Sequence, residues 1–136
     1  MKKILLVVWF AALASASICF GQKQRFPSKA SLDRGLEIYS AQCQACHMEN
    51  GEGIEDVYPP LAKSDYLMDD KERSIRQVID GLSGEIKVNG KMYNGFMSGF
   101  DLTDEQVSDV LNFIRNSWGN KGGVVSPEEV AATKKK

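Results

Sequence analysis

Residues 43–47 read Cys-Gln-Ala-Cys-His, two thiols three positions apart with an imidazole directly behind them. A chain with this spacing has to present all three side chains to one point, so the rest of the fold is built around whatever they hold. C-x-x-C-H has a specific use, the covalent attachment of a c-type haem. Each thiol, here Cys43 and Cys46, adds to one vinyl group as a thioether, and the two-residue gap matches the separation of the vinyls. The histidine, His47, supplies the proximal nitrogen to the iron. Its other ring nitrogen needs an acceptor, often a backbone carbonyl. The loop around Pro59 and Pro60 is a candidate source of that carbonyl.

Three plainer uses of the motif fit less well. A zinc site needs about four ligands, and the sequence has one His and no second Cys cluster. A thioredoxin-like C-x-x-C needs a preceding strand in a βαβ unit, whereas this one closes a predicted helix. A structural disulfide between Cys43 and Cys46 leaves His47 without a reason.

Composition narrows the function classes further. A chain of 136 residues is one domain, at roughly 100–200 residues per domain. Hydrophobic residues make up 43% and charged residues 26%, an ordinary globular balance that excludes general disorder. The formal net charge of −1 argues against a nucleic-acid partner, which selects basic stripes. A single His excludes any site that needs two imidazoles from one chain.

The N-terminal residues 1–21 read as a secretory signal peptide. Met1-Lys2-Lys3 is a short positive start, Ile4 to Gly21 carries no charge, and small residues cluster at Ala14-Ser15-Ala16-Ser17. That is the order of a signal sequence and its cleavage region. A retained anchor through residues 4–21 is the alternative, but the run is short for a bilayer. Lipid attachment through Cys19 is disfavoured by the bulky Ile18 before it. Cleavage predicts a soluble periplasmic protein with no stable membrane span, and it leaves only Cys43 and Cys46.

Residues 22–30 read as a flexible lead-in. Ser31 is a predicted helix cap. Leu32, Leu36 and Tyr39 share one face of a helix running to about Cys46. Gly51, Gly53 and Pro59-Pro60 mark a loop. A second helix is predicted over Asp69–Leu82, where Ile75, Val78, Ile79 and Leu82 keep helical spacing, ended by Gly81 or Gly84. Ile86 and Val88 then alternate before Asn89-Gly90, a strong hairpin signal, followed by Met92. Residues 94–100, with Gly95 and Gly99, read as a loop. Thr103-x-x-Gln106 is a capping box for a helix carrying Val107, Val110, Leu111, Ile114 and Trp118 and stopped at Gly119. Ser126-Pro127-x-Glu129 opens a short last helix within 121–136, which closes on the basic tail Lys134–Lys136.

The iron's sixth position has no second His to fill it, and a Met there raises the reduction potential. Met48 adjoins the proximal His and cannot reach the other face. Met68 precedes a predicted helix. Met92, on the hairpin, and Met97, in the Gly-flanked loop, are the candidates.

At this point the sequence resembles the class I cytochromes c, in particular small bacterial monohaem domains, over about residues 31–120. Gly35-Leu36-Glu37-Ile38-Tyr39 is similar to the family's N-terminal helix, and Cys43–His47 is its haem motif. Tyr58-Pro59-Pro60-Leu61-Ala62 resembles the proximal loop, which implies a Pro carbonyl on the His and places Pro60 and Leu61 in the haem pocket. Tyr93-Asn94-Gly95-Phe96-Met97 resembles the distal segment. There the family has Met followed by Pro, and here Ser98 follows. The resemblance implies that Met97 is the second axial ligand. Val110-Leu111-Asn112-Phe113-Ile114-Arg115 resembles the C-terminal helix, with Val110 and Phe113 meeting Gly35 and Tyr39. The implied fold is all-α, three main helices around one covalent haem c, with a small β-hairpin before the distal Met loop.

Met/His ligation leaves no open position for substrate chemistry, which implies one-electron transfer rather than an enzyme. The expected partners are redox proteins: a dehydrogenase, a copper reductase or a terminal oxidase. Asn116–Asn120 and the Ser-Pro-Glu-Glu tail recur in domains linked to copper-containing reductases. The alternative is a haem-based gas sensor or small peroxidase-like enzyme with a labile sixth position. Glu49, Glu52, Glu55 and Asp56 follow the motif; they read as a solvated loop, or as an acidic patch that would steer a basic partner.

Overall fold

The computed structural model describes residues 26–135. The expected signal sequence of residues 1–21, with Cys19, and the first part of the expected lead-in lie outside the described residues. Six helices and one two-stranded antiparallel sheet follow in the order α1 (Lys29–Gln42), α2 (Gln44–His47), α3 (Asp65–Asp69), α4 (Lys71–Asp80), β1 (Gly81–Val88), β2 (Lys91–Ser98), α5 (Asp104–Ile114) and α6 (Pro127–Lys134). Among the described residues no helix is long and apolar enough to cross a membrane.

Helices α1 and α5 cross at Gly35. A methyl there would stand 2.7 Å from the Phe113 Cβ and inside contact distance of the Asp109 carbonyl oxygen. The missing side chain lets the backbones meet. Beside the crossing, Tyr39, Phe113 and Trp118 form a ring cluster with centroids 4.9–5.5 Å apart, within the range where aromatic pairs attract. Tyr39, Ile75, Val107, Val110, Leu111, Val125 and Val130 are buried in the core below.

The start of α1 differs from expectation. Ser28 is the cap, accepting the Ser31 N–H at 3.2 Å, so the helix takes in the last two residues of the expected lead-in. Ser31 instead turns inward and donates to Asp109 Oδ1 at 2.6 Å. The buried row of α1 is Ser31, Gly35 and Tyr39, one residue per turn, and Leu36 is 48% exposed. Small residues won this face because α5 lies so close. The helix also breaks at Cys43, and α2 starts afresh, which re-aims the motif.

The expected helix 69–82 is the shorter α4, Lys71–Asp80, and a separate helix α3, Asp65–Asp69, precedes it; each is capped by a side chain, Ser64 on Leu67 N–H and Asp70 on Arg73 N–H. Gly81, at φ 82°, stops α4 at Asp80. Leu82 is therefore in a strand, not a helix.

The hairpin is longer than the sequence signal. Its strands pair from Gly81↔Ser98 to Val88↔Lys91, around an Asn89-Gly90 turn whose residues both have positive φ, as a two-residue turn of this hand requires. Residues 94–98, expected in a loop, are strand, and Met97 is in β2. The tip is clasped to α3: Asp65 Oδ1 accepts the Asn89 N–H at 2.7 Å and Asn89 Oδ1 accepts the Asp65 N–H at 3.0 Å.

Both capping boxes form, at Thr103/Gln106 and Ser126/Glu129. Helix α5 ends at Ile114, short of Trp118. Its last carbonyls are taken by other partners, Ile114 O by Asn120 Nδ2 at 2.8 Å and Arg115 O by the Gly122 N–H at 2.7 Å. Helix α6 is held by Lys71–Glu129 and Lys134–Asp104 pairs at 2.5 and 2.6 Å, so Lys134 is not a free tail residue.

Candidate functional site

Helix α2 brings Cys43, Cys46 and His47 to one edge of a cleft. The opposite wall is the inner face of the hairpin, Leu82, Gly84, Ile86 and Val88 of β1 with Tyr93, Gly95 and Met97 of β2. The floor is Leu67, Val78, Leu111 and Ile114. The cleft has two lobes of about 70 and about 300 Å³. His47, Met97, Leu82, Ile86 and Phe100 line both, so the lobes are parts of one space.

His47 Nδ1 donates to the Pro59 carbonyl at 3.0 Å. That bond commits the proton to Nδ1 and leaves Nε2 as the ring's free lone pair. Burial lowers the imidazole's pKa, against the Pro59 bond, which raises it. Neutral imidazole is the form that binds a metal. Burial, with a smaller contribution from Cys46, pushes the Cys43 thiol up to about 11. Both cysteines are free of disulfide.

The loop after the motif is wound tightly to hold Pro59 in place. The Gly53 N–H bonds His47 O at 3.0 Å, and the Leu61 and Ala62 N–H groups share Gly51 O at 2.8 and 2.9 Å. Trp118 packs on Gly51, where a Cβ would clash with its ring. Asn120 Nδ2 bonds Leu61 O at 3.0 Å while its Oδ1 accepts the Lys63 N–H at 2.8 Å. Tyr39 donates to Met48 O at 2.6 Å.

These residues fit a flat, covalently tethered iron macrocycle. The donor set is two thiols, one imidazole with a single free nitrogen, and a thioether on the facing wall. Gly84 and Gly95 pair across the hairpin in the middle of that wall, and a Cβ at either would meet nothing within 4 Å. They leave a smooth open face between Met97 and Tyr93.

Of the sequence candidates, Cys43, Cys46, His47, Pro60, Leu61 and Met97 all line the cleft. The Pro carbonyl on His47 is that of Pro59, and Pro60 and Leu61 form the wall of the narrower lobe. Met92 pairs with Lys87 on the hairpin's outer face and is 53% exposed, outside the cleft. The acidic loop is partly neutralised, since Lys91 bonds Glu55 at 2.7 Å and Asp56 at 2.9 Å. Leu82, Ile86, Tyr93, Phe100 and Asn120 were not singled out as site residues. The alternation Leu82-x-Gly84-x-Ile86-x-Val88 carried a signal for the first two; nothing in spacing pointed to Asn120.

A family model for cytochrome c matches residues 32–118. The chain is 44% identical over 91 residues to cytochrome c-552 of Thermus thermophilus, covering 63% of this chain and 69% of that one. It is 34% identical over 91 residues to cytochrome c6 of Gracilaria tenuistipitata var. liui, covering 67% and 77%. It is 33% identical over 100 residues to the cytochrome c subunit of a quinone alcohol dehydrogenase from Gluconobacter oxydans, covering 71% of this chain but 21% of that subunit. A c-552 sequence from a second Thermus thermophilus source is covered over 61% of its length.

Proposed function

Because the chain belongs to the class I c-type cytochromes, we propose that it carries single electrons on one haem c, held by Cys43, Cys46 and His47 with Met97 as the second axial ligand. The haem supplies a one-electron ferric/ferrous couple when bound. The chain's residues set the conditions for it. Cys43 and Cys46 tether the ring as thioethers, and His47 offers Nε2 in a direction fixed by the Pro59 carbonyl. The Met97 thioether, on the wall facing His47, would supply the other ligand and so would leave no position for a substrate. The walls of the narrower lobe, which are apolar almost throughout, would limit water around a bound haem, which together with Met ligation favours a raised potential.

The observation that carries this reading is the shared cleft of His47 and Met97, with Nδ1 of His47 already bonded to Pro59 O at 3.0 Å. We place the monohaem domain at residues 31–120 and the short C-terminal helix and tail at 121–136. Residues 1–21 act as an export signal that delivers the chain to the periplasm. Donor and acceptor are redox proteins of the respiratory type, a dehydrogenase, a copper reductase or a terminal oxidase; the related dehydrogenase subunit supports the first.

The test is expression in a host that matures c-type haem, followed by oxidised and reduced spectra. The parent is expected to show a covalent low-spin haem with the charge-transfer band of methionine sulfur on ferric iron. Met97→Ala is expected to abolish that band, lower the reduction potential and let the ferrous iron bind carbon monoxide, while Met92→Ala leaves all three unchanged. A parent that is high-spin and binds carbon monoxide readily replaces the carrier with a sensor or small enzyme.

A further inference from the structure

The segment that carries Met97 is interlocked with the end of α4 through two glycines. Gly81, which caps α4, sits against β2 so closely that a Cβ on it would fall inside contact distance of Met97 O and 2.7 Å from Gly99 N. Gly99 sits as closely against α4: a Cβ there would fall inside contact distance of Ile79 O and 2.9 Å from the Ile79 and Asp80 carbonyl carbons. All of these neighbours are backbone, which has no rotamer to yield. The Phe100 N–H bonds Val78 O at 3.0 Å and closes the stack. Met97 is the cross-strand partner of Leu82, one residue beyond Gly81, and lies two residues before Gly99. Glycines 84, 90, 95 and 123 have open surroundings; those at 81 and 99 are instead each set against the backbone of the other's segment, on either side of Met97's strand end.

We propose that Gly81 and Gly99 are positioning residues for Met97. By letting the two backbones touch, they set the height of the Met97 sulfur above the cleft. This rests on Met97 being the axial ligand. It also accounts for how the sulfur is held when the residue after it is Ser98, whose side chain is exposed. Functional groups need placement to about 0.5 Å. An alanine at 99 has to open its backbone contacts beyond 3.0 Å, and that shift is delivered to a strand end two residues from the sulfur.

The experiment compares the haem-loaded parent with Gly99→Ala, Gly122→Ala, Ser98→Gly and Met97→Ala. Gly122 is the matched control, because a Cβ there also strikes backbone, 2.9 Å from Arg115 O, yet it lies outside the cleft. Gly99 has no positive φ, so its alanine variant tests the contact alone. Gly99→Ala is expected to lose the sulfur-to-iron charge-transfer band, drop in potential and bind carbon monoxide when reduced, as Met97→Ala does. Gly122→Ala is expected to lose thermal stability and keep the band. If Gly99→Ala does not accumulate as holoprotein, Ser98→Gly decides. An unchanged band there supports the interlock; a lost band overturns it, because residue 98 then holds the sulfur. A Gly99→Ala protein with the parent's band and potential overturns the interlock alone, provided Met97→Ala has lost the band. A Met97→Ala protein that keeps the band overturns both the ligand assignment and the interlock.

Discussion

Asp65 and Asn89 exchange hydrogen bonds across the gap between α3 and the hairpin tip, and Asp65 Oδ1 also accepts the Tyr66 N–H at 2.6 Å. These backbone donors, Asn89 N–H first, hold the Asp65 carboxyl below its ordinary pKa. A depressed acid contributes stability that is present above its unfolded pKa of about 3.9 and is lost as pH falls through the folded value. Urea midpoints of the parent and Asp65→Asn are therefore expected to differ at pH 7 and to draw together as pH falls through the lowered folded value; a constant difference would remove the charge from the account. Single residues were the most legible scale where the chemistry was local in sequence. Cys43, Cys46 and His47 announce themselves by spacing. The Pro59 carbonyl does not, because a backbone group has no identity in a sequence, and the choice between two adjacent prolines depends on how tightly residues 48–62 wind.

Elements were legible where their signals were side-chain caps. Thr103/Gln106 and Ser126/Glu129 each satisfy two backbone donors within four residues, so no tertiary knowledge was needed. The misses share a cause in tertiary contact. Ser31 scores as a cap but is drawn inward by Asp109. Leu36 scores as core but is turned out, because α5 packs on the small-residue row. Helix α5 stops at Ile114 because Asn120 and Gly122 take its carbonyls from outside the helix. The α1–α5 crossing itself gives a prediction at this scale. Gly35→Ala inserts a methyl against Asp109 O and Phe113 Cβ and has to part the helices. Overpacking of this kind costs about 3 kcal/mol, read as a fall in the chemical-denaturation midpoint. A variant as stable as the parent would mean that the crossing has slack.

The molecule as a whole is an apolar shell around a cleft. Helices α1 and α5 are packed on each other and α4 adds Ile75 and Val78 to the same core, but the inner face of the hairpin has the cleft before it. Water in a space of about 300 Å³ with such walls forfeits burial of several large side chains, each about 1.5–3 kcal/mol, against a total stability of about 5–15 kcal/mol. The chain without its prosthetic group is expected to lose cooperative folding. A Cys43→Ala/Cys46→Ala variant, purified free of haem, should show no sharp thermal transition by near-ultraviolet circular dichroism. A sharp transition at the holoprotein's temperature would show that the shell stands by itself.

The two-residue turn at Asn89-Gly90 has a consequence that reaches the cleft. Side chains alternate between the two faces of a strand, so Met97 lines both lobes of the cleft while Phe96, 77% exposed, borders only the larger one. Parity along β2 is counted from that turn. One residue added there shifts the count by one and offers the cleft an aromatic ring or a hydroxyl in place of the sulfur. On the proposed ligation, the identity of the group that faces His47 is thus written in the length of a surface turn as much as in the methionine itself.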